Sequence, residues 1–104
     1  MNAVASEAEY IGRVKPALEH LHNCGAVHRE TVSVHEVFRG QTVWKGDVEV
    51  FDLTGHPKAK RAYGWSEKPP NGERFFAVLE FSPIKSALDA VRASIVADAK
   101  KGKR

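Results

Sequence analysis

Between Ala26 and Phe81 the hydrophobic period is two, and apolar side chains fall on both parities, so this chain must build a sheet with two faces to cover. The stretch ERFFAVLEF sets Phe75, Ala77, Leu79 and Phe81 on one side and Phe76, Val78 and Glu80 on the other. GDVEVFDL sets Val48 and Val50 against Phe51 and Leu53, and ETVSVHEVF aligns Val32 with Val34. KRAYGWSE alternates Tyr63 and Trp65 with Ala62 and Gly64. The connections RGQ, TGHP and KPPNGE are short and rich in turn formers, as antiparallel hairpins require. Eight of the nine aromatic residues lie from Phe38 to Phe81, so nearly all the large apolar surface belongs to the sheet.

On either side of this region the period lengthens to that of a helix. Ser6-Glu7-Ala8-Glu9 reads as a capping box, and Ile11, Val14, Leu18 and Leu21 follow as an apolar stripe. Pro16 falls inside the stripe and crowds the carbonyl of Gly12, which predicts a kink rather than a break. Asn23-Cys24-Gly25 closes the helix, with Gly25 suited to a left-handed cap. At the other end Ser82-Pro83 stops the sheet, and Pro83 suits a first helical turn. Ser86 to Asp89 offers a second capping pattern, and Leu88, Val91, Ile95 and Ala99 form the stripe of a closing helix. The basic, glycine-broken KKGKR of residues 100–104 is expected to fray. The expectation is an α+β fold in one domain, residues 1–104: a two-layer sandwich with a four-stranded, mainly antiparallel meander sheet flanked by N- and C-terminal helices.

Charge enters where partners are weighed. The net charge is +3, but the KKGKR tail supplies four cations, and the other 99 residues hold 12 cations against 13 acids. Residues 1–52 carry a net −3 and residues 53–104 a net +6, an asymmetry that marks either a basic face or a chain attracted to its own other half. No apolar run approaches the length of a membrane span, and the start MNAVASEAEYIGRV has neither the basic nor the apolar part of a secretory signal. The single cysteine, Cys24, cannot form an internal disulfide, which fits a reducing cytoplasm of bacterial type.

The stretch GHPKAKRAYGW, residues 55 to 65, most resembles a working site. Lys58, Lys60 and Arg61 could neutralise phosphates while Tyr63 and Trp65 stack on bases. The plainer reading is a solvated hairpin with ordinary aromatics, since Lys60 and Arg61 point to opposite sides of a strand and the body of the chain is not basic. His20 and His22 do not share a helix face, and His28 and His35 lie on opposite sides of an unbulged strand, so no metal site is expected. Cys24 sits at a helix end, where no dipole activates it, and the glycines of TGHPKAK lack phosphate-loop spacing, so no cofactor is expected either. Asp52 and His56 flank one turn and form the candidate acid–base pair. Glu80, in the strongest strand, needs a partner if buried, with Arg61 or His35 the candidates, and otherwise lies at the strand edge in water.

Helices at both chain ends most naturally cover one sheet face, which leaves the other for a partner. The function expected on these grounds is a non-catalytic cytosolic binding module. It self-associates, as a dimer, through an aromatic face carrying Tyr63, Trp65, Phe76 and Glu80, with room for a small ligand. The alternative is a weak nucleic-acid binder using Lys58, Arg61 and the tail, and the third reading is a small enzyme using Asp52 and His56 or Glu80.

Overall fold

The computed structural model describes residues 3–70 and 72–102, with side chains from 8 to 70 and from 72 to 99. Its elements are helix α1 (Ala3–His22), strands β1 (Gly25–Phe38), β2 (Gln41–Thr54), β3 (Arg61–Glu67) and β4 (Arg74–Leu79), and helix α2 (Ala87–Gly102). The four strands form one sheet in the order β1-β2-β3-β4, every pairing antiparallel. The α+β class, the meander and the terminal helices are therefore those the sequence predicts.

The helices do not share a face. Val14 and Leu18 of α1 pack with Ala26, Phe51 and Ala62, while Ala87, Ala90 and Val91 of α2 pack with Val48, Val50, Tyr63 and Trp65. The sheet is thus held between them, α1 on the Phe51 side and α2 on the Trp65 side, instead of lying under both helices in two layers. The reason is the double parity of the strands: with both faces apolar, a split buries more than stacking both helices on one side.

Local chemistry explains the boundaries. Helix α1 begins at Ala3, so Ser6 lies within it and is not its cap; the Ser6 side chain lies outside the described set. Alanines 3 and 5, strong helix formers, extend it. Pro16 stays inside one uninterrupted helix. The left-handed residue at its end is Asn23 (φ 52°), not Gly25, and the Cys24 N–H returns to the Glu19 carbonyl at 3.2 Å, closing a Schellman motif. Gly25 is instead the first residue of β1, where an added Cβ would strike Thr54 on the paired strand. Arg39 and Gly40, both at positive φ, form the two-residue turn between β1 and β2. Pro83, after a cis bond, precedes α2 rather than opening it. The cap is Ser86, whose Oγ accepts the Asp89 N–H at 3.1 Å, as its pattern predicts. The helix runs on through Gly102, so residues 100–102 of the tail are helical, and residues 103 and 104 lie outside the described set.

Candidate functional site

The loop in GHPKAKRAYGW is organised by its histidine. The Nδ1 of His56 accepts the N–H groups of Lys58 (3.1 Å) and Ala59 (2.9 Å), and Gly55 takes φ +83° to enter the turn. Lys58 and Lys60 are exposed, while Ala59 is buried. Asp52 does not meet His56; it receives Arg29 at 3.2 Å and Arg61 at 3.4 Å. Asp52 and His56 therefore serve different neighbours, the first as a counter-ion and the second as a turn cap.

The alternation of the following strand is the expected one, with a different consequence for its aromatics. Gly64 faces α1, so closely that an added Cβ would lie 2.8 Å from Val14 Cγ1. Tyr63 and Trp65 face the other way and are buried within the chain under α2, Trp65 completely. Trp65 stacks on Phe76 with centroids 5.4 Å apart, meets Trp44 edge-on at 5.8 Å, and donates its indole N–H to Glu67 at 3.4 Å. The expectation that this pair projects toward a partner is corrected: α2 supplies the cover, because the split of the helices leaves neither face bare. The hydroxyl of Tyr63 donates to Glu80, which is the partner of that carboxylate rather than Arg61 or His35. Burial first and the Glu80 carboxylate second push the Tyr63 phenol up to about 12.

Glu49 belongs to no motif of the sequence. Only 2 % exposed, it is the buried charged residue of the core, and it accepts hydrogen bonds from Thr31 Oγ1 and from His28 Nε2 (2.8 Å). A β-bulge makes this possible. The register slips between His28 and Glu30, so Arg29 is extra and His28 changes face, joining Thr31 and His35 instead of opposing them. His28 and His35 still do not converge, since His35 bonds Thr42 at 2.6 Å. The parity of Glu49 with Phe51 was the available signal, since it placed a carboxylate on a face that one helix had to cover.

Around Glu49 the α1 side carries a polar seam. The β2–β3 ladder ends at the Glu49–Gly64 pair, and the Ser66 N–H finds the Tyr10 hydroxyl at 2.9 Å. Burial pushes the Tyr10 phenol up, against the pull of its Ser66 bond. Ser66 Oγ and Arg13 both reach Glu73, at 2.7 and 3.2 Å, and hold its carboxyl below the usual range. These groups are all mutually satisfied, and among the described residues no cluster of three potential metal ligands occurs. Cys24 is half-buried, and burial pushes its thiol up, the reverse of activation.

The open chemistry lies at β4. Its outer edge forms the floor of a groove of about 400 Å³, walled by Leu21 of α1 and by Ala93, Ser94 and Ala97 of α2. Phe75 and Phe76 stand half-buried along it. The Glu80 N–H bonds Arg61, so by antiparallel alternation residues 74, 76, 78 and 80 turn their backbone groups inward and 75, 77 and 79 turn theirs out. His22 Nε2–H donates to the Ala77 carbonyl at 3.1 Å, from the position a further strand would occupy. No helix of the described residues is long and apolar enough to cross a membrane. No protein-family model matches the chain, nor does any curated protein or solved structure.

Proposed function

We propose that this chain is a non-catalytic, cytosolic interaction module that self-associates, and that the surface it uses is the β4 edge and its groove rather than the aromatic sheet face. The observation that carries this reading is the contrast between the two sheet edges. Strand β1 is bulged at Arg29, and its Ala26 N–H is occupied by the Glu19 carboxylate at 2.9 Å. Such devices protect an edge against further pairing. Strand β4 has one such contact, His22 on the Ala77 carbonyl, but it carries no bulge and runs in unbroken register through six residues, with apolar side chains on both faces and a groove beside it. The same groove has room for a small apolar ligand. Light scattering behind size exclusion at tens of micromolar should give twice the monomer mass; a monomer across that range overturns the proposal.

The nucleic-acid reading has less support, since Arg29 and Arg61 share Asp52 and only Lys58 and Lys60 are left facing solvent in that loop. Binding to duplex or single-stranded oligonucleotides should be weak and vanish by physiological salt, because few phosphates are neutralised. Sub-micromolar affinity at that salt, lost in Lys58→Ala with Lys60→Ala, would reverse the ranking.

A further inference from the structure

We infer that two copies join β4 to β4 antiparallel about a two-fold axis at Ala77, forming one continuous eight-stranded sheet; this rests on the self-association proposed above and specifies its register. The sequence of the strand is self-complementary about that point. Pairing Ala77 with Ala77 of a second copy sets Arg74 against Glu80, Phe75 against Leu79 and Phe76 against Val78, each pair occurring twice. A shift of register by two residues breaks both charge pairs.

The backbone supports the same centre. The outward groups of residues 75, 77 and 79 are those that pairing about Ala77 would join, and the carbonyl of Ala77 already accepts a donor from that side. His22 would yield that carbonyl to the Ala77 N–H of the second copy. The inward-bonded residues 74, 76, 78 and 80 become the non-hydrogen-bonded pairs of the new ladder, whose side chains stand closest. Arg74 is in no ion pair among the described residues and lies with its guanidinium 5.1 Å over the Phe76 ring. Among the described residues Glu80 has one oxygen engaged, by Tyr63, and no donor on the other. The α2 wall is formed by the small residues Ala93, Ser94 and Ala97 together with Asp98, and Leu21 is exposed beside it. Association of the two apolar strands then covers Phe75 and Phe76.

Charge exchange tests the register. Arg74→Glu places carboxylates opposite carboxylates, and Glu80→Arg places guanidinium groups opposite each other, so each variant alone should associate at least tenfold more weakly than the wild type. An equimolar mixture of the two should recover the dimer, because every carboxylate of one variant meets a guanidinium of the other. Full association of Arg74→Glu alone, or a mixture that stays monomeric while both variants show native circular dichroism, overturns this register but leaves self-association standing. A wild type that is itself monomeric overturns both. Glu80→Arg also removes the Tyr63 partner, so a second readout avoids that variant: amide exchange at Phe75, Ala77 and Leu79 should slow with wild-type concentration and not with that of Arg74→Glu. Exchange at those amides that is independent of concentration in a dimeric wild type overturns the inference.

Discussion

The two faces of the sheet are closed by opposite means. Under α1 strand β3 presents the small residues Ala62 and Gly64, so Val14 and Leu18 approach its backbone itself, and the margin is sealed by the hydrogen bond Tyr10 accepts from the Ser66 N–H and by those Thr31 and His28 donate to Glu49. Under α2 the relation is inverted: the helix contributes Ala87, Ala90 and Val91, and the sheet supplies the bulk with Tyr63, Trp65 and Trp44. A small residue on one parity and a large one on the next thus give a single strand two kinds of contact. The first depends on proximity and the second on volume, and the two should fail differently when altered.

The largest effect is expected on the bulky side. Trp65→Ala removes a fully buried indole between Phe76 and Trp44, and should cost about 3–5 kcal/mol in denaturant unfolding. A loss below about 1 kcal/mol would mean that α2 does not press on this ring. Next comes the polar side. Glu49→Ala strips the acceptor from Thr31 and His28 and opens a cavity, for about 2–3 kcal/mol. Gly64→Ala probes proximity itself: the new methyl must displace the buried, β-branched Val14, and should destabilise by about 1–3 kcal/mol instead of giving the gain expected in an open strand. A stabilised variant would show that α1 can retreat freely.

The smallest effect sharpens the contrast through pH. The phenol of Tyr63 is held near 12 in the folded chain against 10.0 as the ordinary value. Between those values the folded chain retains a proton that the unfolded chain has lost, so this contribution is complete below pH 10 and disappears as pH rises toward 12. Tyr63→Phe should cost about 1 kcal/mol near neutrality and flatten the alkaline limb of the stability curve. An unchanged limb would assign that loss of stability to other groups.

Much of this could be read from the chain because alternation is a local property. The faces of residues 62 to 65 follow from adjacent letters, as do the β4 parities and the Ser86 cap. What escaped had no local sign. Nothing in His28-Arg29-Glu30 announces an extra residue, yet the bulge at Arg29 transfers His28 to the other face and completes the shell of Glu49. The sharing of Asp52 between Arg29 and Arg61 depends on three strands meeting, and so does the loss of His56 as its partner. Covering of Tyr63 and Trp65 by α2 required knowing that the helices divide. Sequence periodicity reports which residues are alike in direction, not which helix reaches them first.

The contacts of α1 also set an order of events. Its fixings to the far half of the sheet, Tyr10 with Ser66, Arg13 with Glu73 and His22 with Ala77, span 55 to 60 residues, whereas each strand pairs with the next one in the chain. Loop closure makes such distant contacts slow to form relative to hairpins. Val14→Ala is accordingly expected to accelerate unfolding while leaving the folding rate nearly unchanged, and a folding rate that falls in step with stability would contradict this order. Helix α1 is synthesised before the strands β3 and β4 on which it docks, and until they emerge its apolar stripe is a natural client for chaperones.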